Sequence, residues 1–307
     1  MRIVVALGGN ALLKRGEPLT AENQRRNMRQ AAGQLAAIAK GHELVLVHGN
    51  GPQVGLLALE ADAYKDVPSY PLDILGAESQ GMIGYVIAQE LQAELADRSI
   101  ATLITRTVVD GEDPAFQTPT KPIGPVYTAE QAKELASARS WHMVDEGKAG
   151  WRRVVASPRP REIVELSAIS TLLSSGAMVI CAGGGGVPVI PREGGGLSGV
   201  EAVIDKDRAA ALLAHRLKAD RLVILTDVDG VFAGWGTPDQ TLITEIKAAE
   251  ADGSGYAAGS MGPKVEAAAY FAQEAGKTAS IGSLSRALAV FEGEAGTHIT
   301  PDVRRDG

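Results

Sequence analysis

The chain of 307 residues is long enough for one large α/β domain or two lobes. Its net charge of −7 argues against a broad basic surface for nucleic acid, and its one cysteine, Cys181, excludes an intrachain disulfide framework or a cysteine-based zinc site. No apolar stretch reaches the ~18 residues that a membrane span needs. We therefore expect a cytoplasmic protein that binds neither nucleic acid nor a membrane.

Short apolar runs alternate along the chain with longer helical patterns, which predicts a mainly parallel sheet covered by helices on both faces. The predicted strands are 3–7, 43–48, 101–109, 178–182, 222–226 and 278–281. The predicted helices are 21–40, 77–97, 161–175, 206–217 and 263–275. Thr20 is placed to cap the first helix, and Gly41 is placed to end it.

The segment 110–160 interrupts this alternation and predicts an inserted arm. It holds six of the chain's 15 prolines. One short helix is expected inside it, because Thr128 and Gln131 have the spacing of a capping box. Such an arm is either a lid over a site on the main sheet or a surface decoration, and the sequence leaves both interpretations open.

Three glycine-rich clusters each follow a predicted strand. They are Gly8-Gly9-Asn10, Gly49-Asn50-Gly51 and Gly183 to Gly186. Ligands of open parallel sheets bind at the carboxyl ends of strands, where bare N–H groups at helix N-termini attract anions. The clusters therefore predict an anion site at one edge of the sheet, with plain strand-to-helix turns as the alternative. A further glycine-rich segment, 194–199, precedes a strand-like run and predicts a hairpin turn.

Three lysines differ from the general surface population. Lys206 and Lys264 lie at predicted helix N-termini, where the helix dipole repels a cation, so a nearby anion is expected to compensate. Lys121 lies in the arm beside prolines that stiffen the backbone. Asp205 and Asp207 flank Lys206 and would be helix caps, metal-related carboxylates or orienters of lysine, with Asp207 the better orienter. The alternative is that these three lysines are ordinary solvated surface residues with no bound anion.

Positioned cations, backbone N–H groups and Mg²⁺ are what phosphoryl transfer requires, because negative charge spreads over the oxygens of the moving group. Asp227 and Asp229 follow another predicted strand, where their carboxylates would touch a ribose or Mg²⁺, or serve as turn residues.

Cys181 is expected to be a buried thiol without a chemical role. All five histidines are expected to be structural or surface residues: His42, His48, His142, His215 and His298.

Motifs spread along nearly the whole chain resemble the amino-acid kinase family. The inserted TKPIGP motif at 120–125 points, within that family, to the branch that uses carbamoyl phosphate rather than to the acetylglutamate, aspartate or uridylate kinases. The other motifs are ALGGNA at 6–11, HGNGPQVG at 48–55, GAESQGMIG at 76–84, SPRP at 157–160, CAGGGG at 181–186, VIDKD at 203–207, LTDVD at 225–229 and GSMGPKVEA at 259–267.

This resemblance implies an open α/β/α sandwich with a mainly parallel central sheet, a small protruding arm and a homodimeric assembly. It implies reversible phosphoryl transfer between carbamoyl phosphate and MgADP, giving ATP and carbamate, as a step of fermentative arginine breakdown. The chain would be a single domain, 1–307. Its N-terminal part, to about residue 205, would take carbamoyl phosphate, and its C-terminal part, from about 206, would take the nucleotide.

The resemblance also assigns expected roles to residues. Lys206 and Lys264 would bridge the transferring phosphoryl group and touch the nucleotide, Asp207 would orient them, and Lys121 would reach in from the arm. No side chain is expected to hold Mg²⁺ by itself, since the ion would sit on the nucleotide phosphates. The carbamoyl phosphate side would consist of Gly8, Gly9, Asn10, Gly49, Asn50 and Gly51. The nucleotide side would add Asp227, Asp229 and Met261.

Two rival functions are compatible with these motifs. One is a kinase for another small carboxylate, such as acetylglutamate, on the same fold. The other is a non-catalytic metabolite sensor, against which the intact set Lys206, Asp207 and Lys264 argues.

Overall fold

The computed structural model describes residues 1–9, 12–14, 16–147, 150–256 and 260–302. Its strands are β1 (Arg2–Leu7), β2 (Glu43–His48), β3 (Ile100–Thr102), β4 (Arg106–Val109), β5 (Lys121–Tyr127), β6 (His142–Asp145), β7 (Trp151–Val155), β8 (Pro160–Ile163), β9 (Met178–Ile180), β10 (Val187–Pro191), β11 (Leu197–Gly199), β12 (Arg221–Thr226), β13 (Val231–Ala233), β14 (Thr241–Ile243), β15 (Glu245–Lys247), β16 (Ala279–Ser283) and β17 (Thr297–Thr300). Its helices are α1 (Ala21–Ala39), α2 (Gly51–Ala63), α3 (Leu72–Glu94), α4 (Ala129–Arg139), α5 (Leu166–Ser174), α6 (Lys206–Arg216), α7 (Met261–Ala275) and α8 (Ala287–Glu292).

One eight-stranded sheet organises the fold, in the order β15-β17-β16-β12-β1-β2-β9-β3. Neighbouring strands pair in parallel, except for β16 with β17. At the centre, Leu7 of β1 lies beside both His48 of β2 and Leu225 of β12, so these three strands end at one edge. The mainly parallel sheet predicted from the sequence is confirmed.

Helices cover both faces of this sheet and enclose two apolar cores. One core packs α1, α3 and α8 around side chains such as Leu35 and Ile87. The other packs α5, α6 and α7 around side chains such as Leu213 and Phe271, and it includes the buried Cys181. The sandwich and the buried thiol agree with expectation. Within the described part of the chain, no helix combines the length and the apolar character needed to cross a membrane.

The predicted strand 101–109 is wrong as a single element, because it divides between two sheets. β3 joins the main sheet, whereas β4 joins a second sheet in the order β11-β10-β4-β8. Between them, the side chain of Gln80 binds both backbone groups of Thr105, accepting from its N–H at 2.8 Å and donating to its C=O at 3.1 Å. These bonds satisfy the backbone where the chain leaves the main sheet.

The helix predictions also need correction, because one predicted helix begins later than expected and two helices, α2 and α8, are not predicted. The helix predicted over 161–175 begins only at Leu166, because the residues before it form β8 and pair with β4. Helix α2 is not predicted at all, since its glycine-rich start looks like a loop, although Pro52 in its first turn is a helix-start signal. The predicted cap of α1 is confirmed, with the Thr20 side chain accepting from the N–H of Asn23 at 3.2 Å.

The proline-rich segment forms a small antiparallel sheet, β5-β7-β6, together with α4. The capping box of Thr128 and Gln131 at the start of α4 is confirmed. The hairpin predicted over 194–199 is confirmed by the antiparallel pairing of β10 with β11. The arm contacts α2 and α3 through a separate apolar cluster made of Val54, Leu72, Leu75, Ile123 and Val155.

Candidate active site

Two of the glycine clusters meet at the carboxyl ends of β1 and β2. A Cβ atom on Gly49 would lie 3.4 Å from Lys206 Cδ and 3.5 Å from the backbone nitrogen of Gly9, so these three residues enclose one small space. The N–H of Gly8 donates to the carbonyl of Leu225 at 2.8 Å, and a side chain on Gly8 would collide with that oxygen. Asn10, expected to belong to the same cluster, lies outside the described residues.

Helix α2 begins at this edge, with Gly51 as its first residue and Asn50 as its cap residue. The buried Asn50 side chain does not cap the helix and instead donates from Nδ2 to Ser79 Oγ at 2.9 Å. The first-turn N–H groups are thereby left to another partner. A helix N-terminus in this condition is suited to an anion.

The third cluster, Gly183 to Gly186, follows β9 and packs against His48 and against Asn50 of the second cluster with no space for side chains. A Cβ atom on Gly183 would collide with His48, and one on Gly184 would collide with Asn50. The last three glycines have φ values of +62°, +90° and +89°, which L-residues with side chains rarely adopt. The three clusters therefore form one tightly packed backbone surface, as the sequence predicts.

Gly185→Ala should destabilise the protein more than Gly195→Ala does. Both glycines have positive φ, +90° and +100°, so alanine costs about 1–2 kcal/mol of backbone strain at either position. Only at Gly185 would the new Cβ atom also meet a backbone oxygen, that of Ile204, at 2.6 Å. Overpacking adds about 1–3 kcal/mol there. Urea unfolding measures the free energy of unfolding of both variants. If the two variants lose equal amounts, the close packing around Gly185 is contradicted.

Asp207 joins two of the predicted lysines. It lies in the first turn of α6 and is buried. One of its carboxylate oxygens accepts from Lys206 Nζ, and the other accepts from Lys264 Nζ at 3.0 Å. The lysine side chains are only 12% and 14% exposed. Helices α6 and α7 therefore bring two ammonium groups onto a single carboxylate.

Lys206 and Lys264 share Asp207, and further carboxylates also act on them: Asp205 on both lysines and Asp227 on Lys264. Burial opposes ionisation of Asp207, but the two lysines hold its pKa below the ordinary value. Burial lowers the pKa of Lys206, although Asp207 opposes this effect. Burial also acts to lower the pKa of Lys264, but nearby carboxylates, Asp207 above all, outweigh it and raise the pKa. An anionic group bound here would be attracted by both ammonium groups.

Lys121 reaches this cluster from β5 of the arm. Its Nζ lies 2.8 Å from Oδ2 of Asp205, while Oδ1 of Asp205 caps α6 by accepting from the N–H groups of Asp207 at 3.0 Å and Arg208 at 3.3 Å. Burial opposes ionisation of Asp205, but Lys121, followed by Lys206, holds its pKa well below the ordinary value. One carboxylate thus ties the arm to the helix turn that carries the catalytic candidates.

Two further ion pairs hold the arm against the body. Arg139 of α4 pairs with Asp62 of α2, and Arg153 of β7 pairs with Glu201 at 3.3 Å. The ring of Trp141 lies under both guanidinium groups, with distances of 5.0 Å and 4.2 Å from ring centroid to Cζ. The arm therefore has several charged attachments besides Lys121.

His48 is a buried residue of the site, although the sequence predicts only a structural or surface histidine at this position. It ends β2, donates from Nδ1 to the carbonyl of Gly49 at 3.0 Å and fills the space over Gly183. Burial lowers the pKa of His48 to about 4, with the charge of Lys206 contributing. The ring is therefore neutral at pH 7. Its position directly before a glycine cluster was the signal available in the sequence.

The stability of the wild type should fall as the pH drops from 6.5 towards 4, because the unfolded His48 binds a proton that the folded one excludes. The interval between these pKa values corresponds to about 3 kcal/mol. His48→Gln removes this contribution, so the gap in unfolding free energy between wild type and variant should narrow on acidification. Urea unfolding at pH 7 and pH 5 tests this. The control is His142→Gln, which changes an exposed histidine and should show no such narrowing. A difference in unfolding free energy between wild type and His48→Gln that is equal at both pH values would contradict the prediction.

A buried polar network, which the sequence does not predict, lies behind the third glycine cluster. Thr105 Oγ1 accepts from the N–H of Ala182 at 3.0 Å, and Thr107 Oγ1 donates to the carbonyl of Gly185 at 2.9 Å. Gln80 holds Thr105 in turn. The available signal was a pair of polar residues, Ser79 and Gln80, in the buried middle of α3.

The expected nucleotide residues lie around the end of β12. Asp227 follows this strand, accepts from Thr226 Oγ1 at 3.1 Å and acts electrostatically on Lys264. Met261 begins α7 and packs against the core of that face. Asp229 is exposed in the turn before β13. The structure thus brings Asp227 to the lysine cluster, whereas Asp229 lies in the exposed turn.

Among the residues that the structure describes, no group of three or more histidine, cysteine or acidic side chains is arranged to hold a metal ion. Mg²⁺ in nucleotide-dependent enzymes needs fewer protein ligands, commonly one or two carboxylates plus substrate phosphates. Asp227, an exposed carboxylate beside Lys264, has the chemistry for that arrangement.

Known proteins resemble this chain along nearly its whole length. The sequence model of the amino acid kinase family matches residues 1–283. A carbamate kinase of Haemophilus influenzae is 55% identical over 301 residues, which cover 98% of this chain and 97% of the relative. A carbamate kinase of Pyrococcus horikoshii is 48% identical, covering 98% and 99%. The solved structure of carbamate kinase from Giardia lamblia bound to AMP-PNP has a TM-score of 0.90 at 44% identity, covering 98% of both chains. The chain therefore belongs to the amino-acid kinase family, in which its relatives are carbamate kinases, and it is a phosphotransferase.

Proposed function

We propose that this enzyme is a carbamate kinase, which transfers a phosphoryl group reversibly between carbamoyl phosphate and ADP and so interconverts them with carbamate and ATP. The observation that carries this proposal is the pair of buried ammonium groups on Asp207, at the edge where the glycine clusters meet. The substrate assignment rests on the similarity to carbamate kinases. A cytoplasmic place in fermentative arginine breakdown is part of the same proposal.

The N-terminal part, to about residue 205, would bind carbamoyl phosphate. The uncapped start of α2 at Gly51 offers backbone N–H groups, which bind phosphate oxygens without adding charge. The N–H groups of Gly8 and Gly49 donate to the carbonyls of Leu225 and Leu7, so these two glycines would contribute space for the substrate and not donors. The arm would cover this side, with Lys121 as its cation. The residues proposed for this role are Gly8, Gly9, Asn10, Gly49, Asn50 and Gly51.

In the direction of ATP formation, an oxygen of the ADP β-phosphate bonds to the phosphorus while the bond from phosphorus to the carbamoyl oxygen breaks. Carbamate leaves with the electron pair of that bond, and no group of the enzyme becomes covalently attached. Lys206 and Lys264 would neutralise the charge on the moving phosphoryl oxygens. One ammonium ~4 Å from a unit negative charge is attracted by ~4 kcal/mol at an effective dielectric of 20. Asp207 would hold both lysines in place.

The C-terminal part, from about residue 206, would bind the nucleotide through Lys206, Lys264, Asp227, Asp229 and Met261. Mg²⁺ would arrive on the nucleotide phosphates, near the carboxylate of Asp227. The ion would supply further neutralisation of phosphate charge.

Purified enzyme given carbamoyl phosphate, ADP and Mg²⁺ should form ATP. In a parallel reaction with ATP and acetylglutamate, ADP release should stay at background. Folded protein that forms no ATP would refute the proposed activity, and tight ADP binding without turnover would favour a metabolite sensor. Phosphorylation of acetylglutamate instead would favour the other kinase.

Lys121→Ala should raise the KM for carbamoyl phosphate by about ten- to a hundredfold, the scale for losing a hydrogen bond to a charged group. The matched control is Lys133→Ala, which removes an exposed lysine from α4 of the same arm. Steady-state ATP formation at varied carbamoyl phosphate measures both. A KM unchanged by Lys121→Ala would support the view of the arm as a surface decoration.

We further propose a homodimer, as the sequence resemblance implies. Size-exclusion chromatography with light scattering tests this directly. Elution at the mass of one chain, 32.0 kDa, at micromolar concentration would refute it.

A further inference from the structure

A cationic cavity lies where α6, α7 and the base of the arm meet. It has a volume of about 300 Å³, and we name it the arginine groove. Four arginines line it, Arg159, Arg161, Arg208 and Arg216, together with a single carboxylate, Glu266. The lining residues are therefore mainly cationic, in a chain whose net charge is −7.

The guanidinium groups of this groove are incompletely neutralised. Glu266 is shared, since it accepts from Arg159 at 2.8 Å and from Arg208 at 2.7 Å. Arg161 has a looser pair with Asp110 at 3.5 Å. Within the described ranges, Arg216 has no ion pair, although its side chain lines the groove. Guanidinium N–H groups are thus left for a further acceptor.

The rest of the groove is apolar. Ala211 and Leu212 line it from α6, and Ala267 and Tyr270 line it from α7. Ligand sites commonly combine an apolar surface with a few polar groups that fix the ligand, and ~300 Å³ is at the small end of their range. Guanidinium groups bind carboxylates and phosphates through paired hydrogen bonds. These features together fit a compact ligand with anionic groups.

We propose that the arginine groove binds a compact anion with two or more negative charges, carried on carboxylate or phosphate groups. The groove is a separate site from the proposed catalytic centre, because it is lined by the α6 and α7 residues that follow the lysine cluster and by no member of the glycine clusters. The inference goes beyond the proposed carbamate kinase activity and does not depend on it.

Calorimetric titration of the full chain without Mg²⁺, using citrate and inorganic pyrophosphate as separate probes, tests the proposal. The double variant Arg161→Ala/Arg216→Ala should weaken binding of at least one probe by about tenfold or more, a change of ~1.4 kcal/mol. The matched control, Arg192→Ala/Arg286→Ala, removes two exposed arginines outside the groove and should bind as the wild type does.

Anions also have access to the lysine cluster, so each titration is repeated in the Lys264→Ala background. Binding in the groove should persist there. Whether citrate or pyrophosphate binds more tightly distinguishes a carboxylate from a phosphate ligand. The proposal is overturned if neither probe binds at millimolar concentration, or if the groove variant and the control variant bind the probes with equal affinity. It is also overturned if only Lys264→Ala, and not the groove variant, abolishes probe binding. ATP formation is assayed separately, so failure here leaves the proposed activity untouched.

Discussion

Lys264→Ala should lower kcat by about 10²–10³-fold, the scale for losing one positioned transition-state donor. The Lys264 ammonium is held 3.0 Å from Asp207 and is largely withdrawn from solvent. The positive charge is therefore in place before the phosphoryl group moves, and its loss removes stabilisation that solvent replaces poorly. Alanine suits the first turn of α7, so the variant should fold. Steady-state ATP formation and urea unfolding measure the two properties.

The control for this experiment is Lys277→Ala, which removes an exposed lysine just beyond the end of the same helix and should leave kcat unchanged. If Lys264→Ala raised the KM for ADP and left kcat alone, Lys264 would bind substrate and transition state equally well. If neither constant changed, Lys264 would have no part in the reaction.

Asp207→Asn should have the second large effect, because it leaves two buried ammonium groups without their shared counter-charge. Breaking a buried ion pair by removing one partner costs about 3–5 kcal/mol, so the free energy of unfolding should fall on that scale. The negative charge of Asp207 raises the pKa of Lys206 against the effect of burial. In the variant this support is gone, and the pKa of Lys206 should fall further.

The loss of charge in Asp207→Asn should be visible in the dependence of kcat on pH. In the proposed mechanism transfer requires protonated Lys206, so kcat should fall as pH rises through the pKa of that lysine. In Asp207→Asn the fall should begin at lower pH. The control is Glu274→Gln, which neutralises an exposed carboxylate on α7. A lower kcat with the alkaline side of the profile unmoved would mean that Asp207 acts through packing and not through charge.

The edge of the sheet where these lysines meet was predictable from the sequence. Apolar runs define parallel strands, parallel strands end together, and glycine clusters after three of them indicate a shared surface. The unfavourable placement of Lys206 and Lys264 at helix N-termini gave independent support for a bound anion. Local patterns suffice for these inferences, because strand ends and helix starts are properties of short segments.

Contacts between distant segments were not predictable in the same way. Lys121 and Asp205 are 84 positions apart, so no spacing in the sequence indicates that they pair. The division of 101–109 between two sheets depends on Gln80, whose side chain replaces backbone partners at Thr105. Both halves of that segment contain β-branched residues that favour strands, so only the tertiary contact separates them. His48 likewise became part of the site through burial against Gly183.

The buried position of Cys181 makes the arm accessible to direct measurement. It is the chain's single cysteine, and burial raises the pKa of its thiol, so thiol-directed labels react with it poorly. Two cysteines introduced on the surface, one on α4 and one on α2, would be the reactive pair. Fluorescent or spin labels at those two positions would report the distance between arm and body as substrates are added, with no native cysteine to remove first.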